Sequence, residues 1–170
     1  MVQRPFRRVV VTGVECAGKT TLSRKLASAL GWAWVPEHAR THEDVLNGQV
    51  TEGTFDDLHA SQTSAAAAAQ QTHLGVICDT GDLVLRMWSE AVLDFSWHPL
   101  SPPDPRVDLY ILCPTLHQWE EDPLRTMPKV EDRLALEEKY RAHLAHRHHL
   151  VAEGDSPEAR VKHLLDQWPW

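Results

Sequence analysis

Short apolar runs alternate along the chain with longer stretches whose apolar residues recur at helical spacing, the pattern of βαβ units built on a parallel sheet. RRVVVTG at 7–13 sets three valines in a row before a glycine and reads as a buried strand. In KTTLSRKLASAL, Leu22, Leu26 and Leu30 fall at four-residue steps, one apolar stripe of a helix that Gly31 stops. WAWVPE at 32–37 is a second short strand bounded by Pro36. From Glu43 to His73 the composition is helical, and the run SAAAAAQQ belongs to that helix because alanine is the best helix former.

LGVICDT at 74–80 is a third strand, followed by a helix over 82–93 with Leu83, Met87 and Trp88 on one face. SWHPLSPPDPRV at 96–107 holds four prolines and no period, so it is a loop. DLYILC at 108–113 and HLVAEG at 149–154 supply the fourth and fifth strands. Between them, 130–147 is an amphipathic helix laced with i,i+4 charge pairs. The last helix, over 156–168, has Ser156 as its N-cap and Pro157 at its first position. With right-handed crossovers, five strands make an α/β three-layer sandwich, a five-stranded parallel sheet with helices on both faces. No repeat and no internal boundary interrupts residues 1–170, so one domain is expected.

Composition narrows the partners. At 170 residues and 42% hydrophobic the chain is long enough for a full core. A net charge of −7 without any basic run argues against nucleic acid. Cys16, Cys78 and Cys113 are far apart and form neither a CxxC pair nor a disulfide framework, which fits a reducing cytoplasm. No stretch reaches the roughly 18 apolar residues that a membrane span takes, and the N-terminal apolar run is too short for a signal peptide. His143, His146, His148 and His149 lack a carboxylate at metal-site spacing.

The chemistry starts at GVECAGKT, which matches G-x-x-x-x-G-K-[ST] between a strand and a helix, the context this phosphate loop needs. Gly13 and Gly18 let successive N–H groups turn inward around an anion, with Glu15, Cys16 and Ala17 between them. Lys19 is the candidate for the β- and γ-phosphates of ATP. Thr20 is the candidate for Mg²⁺, and Thr21 continues the helix whose dipole favours the phosphates. Cys16 reads either as a reactive thiol or as a small filler.

Ligands of an open parallel sheet bind at the carboxyl ends of its strands. Glu37 ends the second strand and Asp79 the third, so both should face the loop. Glu37 suits proton removal from an acceptor hydroxyl, or else caps the next helix. Asp79 suits Mg²⁺ held through water, or else caps its strand. Arg40 orients a substrate or pairs with Glu37. WEEDPLRTMPKVEDR follows the fourth strand, where P-loop kinases carry a cover. Arg125 and Arg133 there either close over the transferred phosphoryl group or lie on a solvated, salt-bridged face. Asp122 contacts an acceptor or caps a turn. Trp88, Trp97 and Trp119 are candidates to stack on a base, against the alternative of core packing.

GVECAGKTTL, PEHAR, CDTGDLVLRMWSE and WEEDPLR, in this order over roughly residues 8–165, make the chain resemble the P-loop family that includes the nicotinamide-riboside kinase domain of a bifunctional bacterial NAD-salvage regulator. The resemblance implies a cytoplasmic kinase that phosphorylates a ribosyl hydroxyl with Mg-ATP. It places Glu37 and Arg40 beside the acceptor, Asp79 near the metal, and Asp122 and Arg125 on the acceptor side or in a lid over 117–133. One departure stands out. The family's Asp-Thr-Asp becomes DTGD here, with Gly81 in place of the second acid, so Asp82 becomes the candidate for that substrate contact. A small-molecule acceptor, with neither nucleic acid nor membrane as partner, is the expectation. The alternative is a nucleotide-operated ATPase or switch that regulates a protein partner.

Overall fold

The structure, a computed structural model, describes residues 6–93, 96–98 and 107–170; most of the proline-rich loop expected at 96–107 lies outside them. The strands β1 (Arg7–Thr12), β2 (Ala33–Val35), β3 (Gly75–Asp79), β4 (Leu109–Leu112) and β5 (His149–Val151) form one sheet in the order β2-β3-β1-β4-β5. Every pairing is parallel. The valine run explains the place of β1: Val9, Val10 and Val11 are buried, as a strand must be when both sheet faces are covered. The helices α1 (Lys19–Leu30), α2 (Glu43–Leu46), α3 (Glu52–Ala69), α4 (Asp82–Val92), α5 (Val130–Leu144) and α6 (Pro157–Asp166) complete the three-layer sandwich. Ser156 caps α6 as expected, its hydroxyl accepting the Ala159 N–H at 3.1 Å.

Three expectations need correction. The helical stretch from Glu43 to His73 is two helices, α2 and α3. Gly48 turns the chain out of α2 at φ 66°. Thr51 and Thr54 then restart it with a capping box, and the Thr54 hydroxyl ties the two helices together by donating to Asp44 at 2.8 Å. In α4, Leu83 and Met87 pack into the core beneath the sheet. Leu85 joins a second cluster with Val45, Phe55, Leu58 and Trp97, and Trp88 packs against that second cluster. That helix is therefore buried on two sides rather than one. Finally, Arg133 in α5 does not lie on a solvated face but is wholly buried. Among the described residues no helix is long and apolar enough to cross a membrane.

Candidate active site

The loop after β1 owes its shape to tight packing against β4. Gly13 has φ 137°, and a Cβ there would stand 2.6 Å from the Cys113 carbonyl oxygen, so no side chain fits. The turn continues through left-handed backbone at Cys16 (φ 58°) and Gly18 (φ 79°) into the first turn of α1. The free N–H groups of Lys19, Thr20 and Thr21 face the space above, a natural anion site. Lys19 Nζ meanwhile donates to the Val14 carbonyl at 2.6 Å, folded back along its own loop. Beneath the turn, buried Arg160 donates to the carbonyls of Ala17 (3.0 Å) and Gly154 (3.2 Å). Sequence reasoning missed Arg160, since nothing in SPEARVKHLLDQW sets it apart from a surface arginine.

Register brings the next carboxylate to the loop. Val11 pairs with Asp79 across β1 and β3, and the Thr20 hydroxyl donates to Asp79 Oδ2 at 2.6 Å. Asp79 is buried, and its Oδ1 has no hydrogen-bond partner. Burial, with the nearby Glu37 carboxylate adding to it, raises the Asp79 pKa, while the Thr20 hydroxyl and Lys19 oppose that rise. A buried carboxylate oxygen with nothing to bond, beside a hydroxyl, is a set of hard oxygen donors. These donors fit Mg²⁺, directly or through its water.

Gln62, also missed, holds this corner: its amide donates to the carbonyls of Asp79 and Thr80, each at 3.3 Å. Its only trace in the sequence is a polar residue on the buried stripe of α3. Thr80 itself is β-branched and has φ 72°, a strained backbone of the kind kept at functional sites.

Glu37 follows β2 and opens a 3₁₀ turn, His38–Thr41, that carries Arg40. Arg40 donates to Glu37 at 3.1 Å and to Asp122, from the segment after β4, at 2.8 Å. Both readings of Asp122 are met in one residue, because its other oxygen caps the turn by accepting the Leu124 N–H at 2.9 Å. The Arg40 guanidinium, followed by the Leu124 N–H, lowers the Asp122 pKa; Asp122 in turn raises that of Arg40.

Arg125 Nη1 reaches the Glu120 carbonyl and lies 3.5 Å from Cys16 Sγ. Glu15 also turns to this segment, accepting the N–H groups of Thr126 (2.8 Å) and Met127 (3.0 Å). Asp82 does not join them. Its carboxylate takes the Tyr110 hydroxyl at 3.1 Å and lies 3.6 Å from Arg147, so the substrate contact expected of it has no geometric support.

Between these groups lies a cavity of about 770 Å³. One arm runs from the phosphate loop past Leu116 and Gln118 to Gly154–Pro157, beyond the ends of β4 and β5. The other passes Glu37 and Arg40 into an apolar chamber walled by Val45, Leu58, Leu85, Trp88 and Leu124. Of the three tryptophans proposed for the cleft, only Trp88 lines it. Trp97 is buried, with its indole N–H given to Asp56 at 3.0 Å, and Trp119 stacks under Arg133.

The family model of an AAA domain matches residues 8–160, from β1 to α6. The chain belongs to this AAA domain family. No curated protein matches it in sequence. Among solved structures, the NadR protein in complex with NR superposes with a TM-score of 0.70 at 21% identity, covering 94% of this chain and 50% of that one. A deoxyadenosine kinase from M. mycoides with dCMP and dCDP gives 0.64 at 11%, covering 94% and 97%. A sugar kinase from Janibacter gives 0.61 at 19%, covering 95% and 94%. The AAA domain thus has the P-loop kinase fold and is similar to nucleoside and sugar kinases, while it spans half the length of the NadR protein.

Proposed function

We propose that the protein is an Mg-ATP-dependent kinase that phosphorylates a ribosyl hydroxyl of a nucleoside such as nicotinamide riboside. The observation that carries this reading is the second arm of the cavity. A nucleotide switch needs a phosphate loop and a metal site, but it has no use for a chamber of Val45, Leu58, Leu85, Trp88 and Leu124 that opens at Glu37 and Arg40 toward the loop. A cavity of about 770 Å³ lies within the roughly 300–1,000 Å³ of small-molecule sites. The printed ligands of the fold's relatives, NR and deoxynucleotides, support a nucleoside acceptor.

On this reading the loop amides and Lys19, released from the Val14 carbonyl, hold the donor's phosphates. Thr20 and Asp79 hold Mg²⁺, which when bound neutralises charge on the bridged phosphate oxygens. The chamber takes the acceptor's ring, and Arg40, fixed between Glu37 and Asp122, orients its hydroxyls. Glu37 accepts the proton of the attacking hydroxyl as that oxygen bonds to the γ-phosphorus and the bond to the ADP oxygen breaks. Because this transition state is loose, positioning and charge contribute more than the base. Arg125, held at the Glu120 carbonyl beside Cys16, stabilises the charge on the transferred group.

The same proposal treats residues 1–170 as one kinase-like unit with a lid around 117–133. It places the protein in the cytoplasm, where the free cysteines Cys16, Cys78 and Cys113 stay reduced. The test is ADP release from Mg-ATP across a panel of nucleosides and simple sugars. Turnover that depends on a nucleoside supports the reading; hydrolysis indifferent to every acceptor favours the switch.

A further inference from the structure

Arg133 is the fourth residue of α5 and is 0% exposed. Its Nη1 donates to the Gln118 carbonyl at 3.2 Å, and its guanidinium lies 5.1 Å from the centre of the Trp119 ring. Nε and Nη2, the two donors along one edge of the fork, have no hydrogen-bond partner. Glu137, one turn further along α5, is already engaged by the Thr115 N–H at 2.6 Å and by Arg141 at 2.6 Å. A guanidinium cannot shed its proton to escape such a place, and a buried charge without a counter-charge is among the costlier states a side chain can adopt. The vacant edge has the geometry that grips two oxygens of one phosphate or carboxylate.

The helix face points to which anion. Leu136 and Tyr140, three and seven residues after Arg133, both line the cavity, as does Gln118, the residue whose carbonyl Arg133 holds. The anion that the phosphate loop recruits to that cavity is a nucleotide's phosphate chain. Resting on the kinase reading above, we propose that Arg133 is a second arginine for the transferred phosphoryl group. When Mg-ATP binds, the guanidinium leaves the Gln118 carbonyl and closes its Nε/Nη2 edge on the terminal phosphate. The buried, unmatched charge is thus the form of the protein that waits for nucleotide.

The test compares wild type, Arg133→Met and Arg133→Lys for binding of Mg-ADP and of the non-hydrolysable Mg-AMP-PNP by calorimetry, with melting curves of the nucleotide-free proteins. Methionine keeps an apolar stem without the charge. It is expected to weaken AMP-PNP by about tenfold or more, the scale of one charge-assisted contact, and to leave ADP nearly unchanged. Without nucleotide, Arg133→Met is expected to melt above wild type, whereas an arginine that serves only the fold would melt lower when replaced. Arg133→Lys keeps charge without the fork and is expected to lose part of the AMP-PNP preference. Equal weakening of both nucleotides, or none, in Arg133→Met overturns the inference. Should that variant not fold, an unchanged preference in Arg133→Lys does the same. Wild type that binds neither nucleotide defeats the kinase reading and this inference with it. Wild type that binds both, with the preference intact in the variants, defeats this inference alone.

Discussion

The Glu15 carboxylate of the phosphate loop accepts the backbone N–H of Met127 at 3.0 Å, and that of Thr126 at 2.8 Å, so the loop and the segment expected to be its lid are held together by one side chain. Hydrogen bonds to a charged group contribute about 1.5–3 kcal/mol where they are buried and less at a partly exposed site such as this one. Glu15→Ala is therefore expected to loosen the lid, raising nucleotide off-rates several-fold and speeding tryptic cleavage after Arg125 and Lys129. Glu15→Gln, which still accepts both N–H groups, should recover most of the difference. Unchanged cleavage and off-rates in Glu15→Ala would remove the tether from the account.

Asp79 makes the stability of the nucleotide-free protein pH-dependent in an unusual direction. Burial, supported by Glu37, raises its pKa above the ordinary 3.8. As pH climbs through 3.8 the unfolded chain ionises first, so ionising Asp79 in the folded protein costs stability, and the full cost is present above the raised value. Asp79→Asn is expected to melt like wild type near about pH 4 and progressively above it toward pH 7, measured with a chelator present. It should also lose about two orders of magnitude or more in turnover, the scale of a lost transition-state contact. A variant that becomes relatively less stable as pH rises contradicts the burial argument.

Much of this arrangement was legible in the chain. The valine run, the glycines at 13 and 18, and the leucine stripe of α1 are local signals, and local packing decides them. The strand ends at Glu37 and Asp79 follow from apolar runs that stop at an acid. What escaped depends on contacts between distant segments. Nothing local to Gln62, Arg160 or Arg133 says that each is buried against a carbonyl tens of residues away. The break between α2 and α3 was readable in principle from Asn47-Gly48, but the alanine run that follows it dominates the composition of the stretch. Asp82 was misplaced because a one-residue offset at a helix start turns a side chain through about 100°, here toward Tyr110 and Arg147.

Gly81 occupies the place of the family's second acid. A Cβ there would meet Val10 Cγ1 at 2.8 Å, and a valine in a central strand has little room to yield. Gly81→Asp should therefore cost about 1–3 kcal/mol as an overpacked core without raising turnover. Gly81→Asp combined with Val10→Ala should regain part of the loss relative to Val10→Ala alone. Thermal melts of the four proteins measure that coupling; simple additivity would show that the two positions do not clash.

Trp88 is the aromatic wall of the acceptor chamber, supported from behind by Phe55 at 5.0 Å between ring centres. Stacking on a base contributes about 1–3 kcal/mol by alanine substitution. Trp88→Ala is expected to raise the nucleoside KM by about tenfold or more while leaving ATP affinity unchanged. An equal loss for both substrates would mean that the chamber does not belong to the acceptor.

The central claim is that Glu37 and the chamber beside it serve a phosphoryl acceptor. The most direct measurement follows radiolabelled γ-phosphate from Mg-ATP into nicotinamide riboside, by chromatography of the products, for wild type and Glu37→Gln at matched nucleotide occupancy. The account predicts label in the nucleoside product with wild type and a loss of about 10²–10⁴-fold in the variant. Label that appears only as inorganic phosphate, at the same rate with or without the nucleoside, would contradict it.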